Sequence, residues 1–407
     1  MLQWFAVVSI AQTTDPLDSY LKMAAQNNPE LRATFNQYLA ALERLPQSKA
    51  LPDPNVMFSI FASPVETRVG AQQAGISLTQ AFPWFGQLSD QEEAASQLAK
   101  ARYEVFLDVK NKLFFDVSAN YYDLYVLEAS VRITRENIRL LESFRQLANV
   151  RLESNTGNAV DLLRVEMELD ELNNQLLYLQ DTRLPIQARF NELLNTQLPV
   201  AIVLPDTLAP IAIADSKNIL LDSIKAQNPM LKSFEYEVLA LDAEKEVARK
   251  MGLPSFSLGL AYTNISPRTD VSMPDNGKDA LIFPQVGVRI PLYRKKYRSM
   301  VLEKEYLKTS VSDRKENKEN QLETALEKSW RDYTDAVRRV VLYQRLIRIA
   351  NQALDILVTQ YSTAGRDFEE ILRMDRQLLR YELELERART DQNTFVAFIN
   401  YLTGKQL

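Results

Sequence analysis

The chain has 407 residues, 46% hydrophobic and 25% charged, a composition that excludes a disordered polymer and leaves room for more than one domain. It contains no cysteine and no histidine, which excludes disulfides, thiolate nucleophiles, imidazole bases and the zinc and copper sites built on those side chains. The net charge of -5 argues against a nucleic-acid surface, which needs a basic stripe.

The apolar run at 1–11 ends in Ser9-Ile10-Ala11, the small-x-small pattern of a secretory cleavage site, so 1–11 is expected to be a signal peptide remnant with the mature chain beginning near Gln12. With no cysteine to follow, no lipid anchor is expected. No later stretch reaches the roughly 18 apolar residues of a spanning helix, so membrane insertion would have to use strands.

From there the chain reads as two copies of one pattern. Asn28-Pro29-Glu30-Leu31 returns as Asn228-Pro229-Met230-Leu231, Leu51-Pro52 as Leu253-Pro254, Phe82-Pro83 as Ile290-Pro291, and Asp161-Leu162-Leu163-Arg164 as Glu370-Ile371-Leu372-Arg373. Repeat 1, residues 12–198, is predicted to hold a helix over 16–45, strands over 54–61 and 74–82, a long helix over 87–155 and a return helix over 158–197. A belt linker over 199–214, alternating apolar residues with Pro, separates it from repeat 2. Repeat 2, residues 215–403, is predicted to hold a helix over 216–250, strands over 255–263 and 283–291, a long helix over 294–363 and a return helix over 367–402.

Glycine and proline draw the long helices. Neither occurs between Gly86 and Gly157 or between Pro291 and Gly365, and gaps of about 70 residues at about 1.5 Å per residue imply helices on the order of 100 Å. Phe106, Val109, Leu113, Val117, Tyr121 and Leu124 fall at coiled-coil steps in the first, and Leu322, Leu326, Trp330, Tyr333, Val337 and Val340 in the second. Gly157 and Gly365 then supply the turns at which each helix doubles back.

The strand candidates alternate with period two, but their polar face is small and largely uncharged. Phe256, Leu258, Leu260 and Tyr262 share one face and Ser257, Gly259, Ala261 and Thr263 the other. The segments 62–73 and 264–282 between strands are expected to be polar loops. A soluble sheet with one buried face has the same alternation. Four strands close no barrel, since closed barrels start at about eight, so several protomers are expected to share one.

In these features the chain resembles the TolC family of outer-membrane efflux proteins, over essentially its whole length. The carrying motifs are the duplicated Asn-Pro-x-Leu helices, the Leu-Pro strand openers, the Phe82-Pro83-Trp84-Phe85-Gly86 turn into a long helix, and the Tyr361/Gly365/Ile371-Leu372 hairpin. The resemblance implies a mainly α fold with a membrane β-barrel portion. A long antiparallel coiled-coil tunnel would stand below a twelve-stranded barrel shared by a homotrimer, in the outer membrane with the helical part in the periplasm. It implies a periplasmic adaptor and an inner-membrane pump as partners, the Phe-Pro-Trp-Phe-Gly turn favouring the resistance-nodulation type. It also implies contact with outer-membrane lipid, no cofactor, no catalysis, and efflux of metals or drugs or secretion of protein.

By the same resemblance the tunnel entrance is gated by Asp161 and Glu370, with Tyr361 and Arg366 holding neighbouring hairpins together and Gly157 and Gly365 marking the turns that meet the adaptor. The sequence departs from the family at Arg373, which stands where a second acidic ring residue often lies, with Asp375 two positions on. A ring of carboxylates in a narrow tube would favour cations. The rival reading is a soluble periplasmic coiled-coil adaptor or scaffold, which accounts for the Gly-free helices but not for the strands. An acid/base hydrolase is disfavoured because no Asp or Glu pair sits in an apolar setting that would raise a pKa.

Overall fold

The computed structural model describes residues 16–196, 201–270, 272–364 and 368–405. The expected signal-peptide remnant, the start of the belt and the residues Gly365 and Arg366 lie outside them. In chain order the elements are α1 (Pro16–Asn27), α2 (Pro29–Leu42), α3 (Arg44–Lys49), β1 (Asn55–Thr67), β2 (Gly70–Phe82), α4 (Gln87–Glu153), α5 (Ala159–Leu194), α6 (Lys217–Gln227), α7 (Pro229–Met251), β3 (Ser255–Ser266), β4 (Ala280–Arg289), α8 (Arg294–Ala364) and α9 (Phe368–Thr403). They fall into two compact units. A helical unit takes the chain up to Thr34, Phe106–Pro229 and Glu319 onward, and a sheet unit takes Phe35–Val105 and Met230–Lys318.

The helices expected over 16–45 and 216–250 are each broken at the repeated Asn-Pro. Proline has no N–H to give and fits the first turn of a helix, so the preceding Asn becomes the junction. Asn28 Oδ1 accepts from Leu31 N at 3.1 Å while Asn28 Nδ2 donates to Leu193 O at 3.3 Å, and Asn228 Nδ2 donates to Leu402 O at 2.9 Å. In both copies the Asn pins the junction to the end of a return helix, α5 in one and α9 in the other, and in the first copy it also caps the second helix.

Among the described residues, two large apolar cores and a smaller one around Val340, Leu385 and Ala388 hold the helical unit. In one large core, Leu17, Tyr20 and Leu21 of α1 meet Val117, Tyr121 and Tyr125 of α4 and Phe190 and Leu194 of α5; in the other, Leu141 and Phe144 of α4 meet Val165 and Leu169 of α5, Leu354 and Tyr361 of α8, and Phe368 and Ile371 of α9. The extended segment after Ala201 is tied down by alternate residues. Val203 N donates to Tyr20 Oη at 2.9 Å and Val203 O accepts from Tyr121 Oη at 3.1 Å. Ile211 N donates to Asn393 Oδ1 at 2.8 Å, and Ile213 N to Tyr333 Oη at 2.9 Å.

In the sheet unit the four strands lie in the order β1-β2-β3-β4, all antiparallel. The first hairpin is longer than expected. Pairing continues through Thr67↔Gly70, so the anticipated loop over 62–73 is instead the end of two strands joined at Arg68-Val69. Pro64 and Pro284 do not stop β1 and β4 because each lies on an edge strand and where the ladder shifts register, between Ile60 and Val65 in one and between Ile282 and Gln285 in the other. The second connection, 267–279, remains irregular and is held by the Arg268–Asp270 ion pair at 2.6 Å and by Asp279 Oδ1, which accepts from Ile265 N at 2.8 Å. Ion pairs between α7 and α8, such as Lys304–Glu244 and Lys308–Asp242, both at 2.8 Å, line the helical part of this unit.

Candidate functional site

Two regions carry the chemistry, one in each unit. In the sheet, backbone register places Phe58, Ile76 and Tyr262 in one cross-strand row, Val56, Leu78 and Leu260 in the next, and Phe82, Phe256 and Val288 in another. These side chains all stand on one face, because side chains alternate along a strand, and the face is open: Phe58 is 75% exposed, Ile60 85% and Val286 67%. The opposite face carries Ser59, Gly75, Ser77, Thr79, Gly259 and Thr263 in matching rows. A water-soluble sheet buries its apolar face; this one presents it and leaves both edges unpaired. Among the described residues no helix is long and apolar enough to cross a membrane.

At the other region, in the helical unit, α4 turns back into α5. Asn155 takes the left-handed conformation (φ 54), Asn155 N donates to Leu152 O at 3.0 Å and Thr156 N to Arg151 O at 2.9 Å, the double closure of a Schellman end. Asn158 then caps α5, its side chain accepting from Val160 N at 3.0 Å. Gly157 is needed for closeness: a Cβ there would stand 2.8 Å from Arg151 Cβ.

The turn delivers Arg151 to the last turn of α8. Its Nη1 donates to Tyr361 O at 2.5 Å, its Nη2 to Thr156 O at 3.1 Å, and its guanidinium carbon lies 4.8 Å from the centre of the Tyr361 ring. Tyr361 is buried and packs on Phe368 with ring centres 4.8 Å apart. One cationic fork therefore fastens the end of α4, the turn after it and the end of α8. Asp161, in the first turn of α5, is the carboxylate of this cluster. Partial burial pushes its pKa up, while Arg164, the Tyr361 hydroxyl and Arg151 pull it back down. Burial and the Asp161 charge in turn push the Tyr361 phenol up. The Tyr361 hydroxyl is buried, and Asp161 is the carboxylate that acts on it. Arg164 reaches across to Glu369 at 3.0 Å, joining α5 to α9.

The remaining sequence-predicted residues separate. Glu370 is paired within its own helix by Arg373. Asp375 is 1% exposed, an interior group that accepts from Asn137 Nδ2 at 3.0 Å. Burial, with Glu168 and Glu382 adding to it and Asn137 and Arg376 opposing, pushes its pKa up to about 7. Gly365 and Arg366 are not among the described residues. Sequence reasoning missed Arg151 and Asn137. Arg151 had a readable signal, a lone Arg six residues before the turn glycine; Asn137 had none, since a polar residue in a heptad pattern looks the same buried or exposed.

No family model matches the chain. A curated relative, "Probable outer membrane lipoprotein SilC" of Salmonella typhimurium, is 24% identical over 251 residues, 58% of this chain and 51% of the relative. The chain thus spans about half the length of the curated relative it matches. Among solved structures, CusC, reported for its folding and transmembrane channel formation, superposes with a TM-score of 0.78 at 17% identity, covering 97% of this chain and 93% of that one. The outer membrane protein VceC of Vibrio cholerae superposes with a TM-score of 0.75 at 14% identity, covering 95% and 96%. The chain has the fold of these two proteins. With that fold come a predominantly helical chain and four antiparallel strands in one sheet, and the sheet's exposed apolar face and open edges are what strands contributing to a shared barrel require.

Proposed function

We propose that the chain is one protomer of a trimeric outer-membrane conduit through which substrates handed over by an inner-membrane pump and a periplasmic adaptor leave the cell. The observation that carries the reading is the sheet: four strands with an exposed face that is apolar apart from Gln80, a small polar face and two open edges, in a chain with the fold of outer-membrane channels. Lipid covers the apolar face, copies of the same sheet satisfy the edges, and the polar face lines water. Exposed apolar residues at seven-residue spacing on α8, Leu342, Ile349 and Ile356, and at helical spacing on α5, Val160, Leu163 and Met167, support contact with further copies along the helices.

The entrance is at the hairpin turns. Arg151, Tyr361 and Asp161 hold the two hairpins of one protomer together there, Gly157 marks a turn that meets the adaptor, and Glu370 opens the return helix of the other hairpin. The Phe-Pro-Trp-Phe-Gly turn favours a resistance-nodulation pump, and metals and drugs are the candidate cargo. The soluble-adaptor reading is disfavoured by the exposed face of the sheet.

The test is fractionation followed by electrophysiology. The full chain is expected in the outer membrane, extracted only by detergent, trimeric by native mass spectrometry, and conducting in planar bilayers with a cation preference that D161A/E370A reduces. Recovery as a soluble monomer without detergent would overturn the conduit; unchanged selectivity in the double variant would remove the acidic entrance and leave the conduit standing.

A further inference from the structure

Beside the extended segment after Ala201 lies a cleft of about 440 Å³ that none of the functions above uses. Arg132, Arg135 and Arg139 enter it from α4, at spacings of three and four that put them on one helix face, and Arg183 enters from α5. Two carboxylates share the cleft, Glu128 and Asp206, and Glu128 is already engaged by Arg183 at 3.0 Å. Among the described residues, Arg132, Arg135 and Arg139 have no carboxylate partner, and each is exposed. The cleft is therefore strongly cationic on a chain whose net charge is -5.

Its second wall is the extended segment itself, through Ile202 and Leu204. Successive residues of an extended chain turn their backbone N–H and C=O to opposite sides. Ala201 and Val203 use theirs against Tyr20 and Tyr121, with Tyr20 Oη donating to Ala201 O at 3.3 Å. The backbone groups of Ile202 and Leu204 turn the other way, and among the described residues they make no hydrogen bond. The segment thus offers a short free edge next to a row of guanidiniums without carboxylate partners among the described residues, Arg139 Nε donating to the backbone oxygen of Arg135 at 3.4 Å.

We infer that this cleft binds an extended acidic peptide segment of a partner protein, which pairs its backbone with Ile202 and Leu204 and lays alternate carboxylates on Arg132, Arg135 and Arg139. Strand addition supplies backbone hydrogen bonds and the side chains on one face supply specificity. Guanidinium forks match carboxylates two bonds at a time, which a helix-bound lysine does not. The free edge selects an extended ligand over a helical one, and the mixture of Leu124, Val131 and Ile202 with arginine suits a ligand that alternates charged and aliphatic residues. This holds whether or not the chain forms a conduit.

The probe is an end-blocked, fluorophore-labelled eight-residue peptide of alternating valine and glutamate, titrated against the full chain in detergent and read by anisotropy. Binding is expected to weaken about tenfold or more in R135E/R139E, the loss expected when charge pairs of this kind are broken. It is expected to weaken with added salt, and to fall similarly for the same peptide N-methylated at alternate residues. Melting temperature and oligomeric state of R135E/R139E are expected to match the parent, which separates lost binding from lost folding. Equal binding of a valine–glutamine peptide would overturn the proposal. So would undiminished binding of the N-methylated peptide together with competition by inorganic phosphate, which would show a plain anion site. Absence of peptide binding with loss of the oligomer in R135E/R139E would assign the cleft to a second copy of this chain and equally overturn it.

Discussion

The Arg151 guanidinium donates to the backbone oxygen of Tyr361 at 2.5 Å and covers its ring at 4.8 Å, so one side chain of α4 holds the last turn of α8. Such a fork is a charge-assisted bond to a backbone carbonyl with a cation–π contact added, each worth on the order of 1 kcal/mol or more when partly buried. R151A is therefore expected to free the two hairpins from each other, raising single-channel conductance in planar bilayers. R151K, which keeps charge but loses the fork, is expected to fall between. Conductance equal to the parent in both variants would show that this contact does not restrain the passage.

Gly157 tests the turn independently of charge. A Cβ placed 2.8 Å from Arg151 Cβ and 3.0 Å from the Arg151 backbone carbon forces the turn away from α4. G157A is expected to cost about 1–3 kcal/mol and to lower the melting temperature in detergent. A melting temperature unchanged from the parent would show that the turn has room the geometry denies.

Asp375 gives the chain a pH dependence with a definite sign. Its pKa in the folded chain is about 7 against an ordinary 3.8, so the folded state holds a proton that the unfolded state releases. The stabilisation is fully present below about pH 4, declines as pH rises, and is gone above about pH 7, by a total on the order of 4 kcal/mol. D375N keeps the contact with Asn137 without the charge. It is expected to be more stable than the parent at pH 8 and to show a flatter melting profile between pH 4 and 8; a profile parallel to the parent's would mean that Asp375 stays ionised throughout.

The two faces of the sheet are separated by neighbouring residues. Leu78 stands on the apolar face and Ser77 on the polar one. L78R places a guanidinium in lipid, a cost of about 2–4 kcal/mol at mid-depth, and is expected to reduce the amount of chain in the outer membrane, whereas S77R is expected to insert normally and alter conductance. Equal insertion of L78R and S77R would count against the lipid-facing assignment.

How much of this was legible beforehand differs by feature. The long helices and the strand alternation follow from local rules, since α4 and α8 run where neither proline nor glycine occurs, although Pro185 is tolerated inside α5, and periodicity two or 3.6 is set by backbone geometry. The duplicated Asn-Pro was visible as a repeat but not as a helix junction, because what breaks the helix there is completed by Leu193 and Leu402 far along the chain. The end of β1 was misjudged because Pro64 is forbidden in a central strand and harmless at an edge, and edge position is a property of the sheet.

The chain's sequence alone determined where the long helices and the middles of the strands lie, and that the strands have one apolar and one small polar face. The tertiary structure alone decided that the apolar face stays exposed, that Asp375 is interior, and that Arg151 rather than a carboxylate forms the centre of the hairpin contact. The physical reason is range. Periodicity and helix breaking are settled within a few residues, whereas the partner of a charge and the depth at which it sits depend on helices brought together from residues as far apart as Asn137 and Asp375.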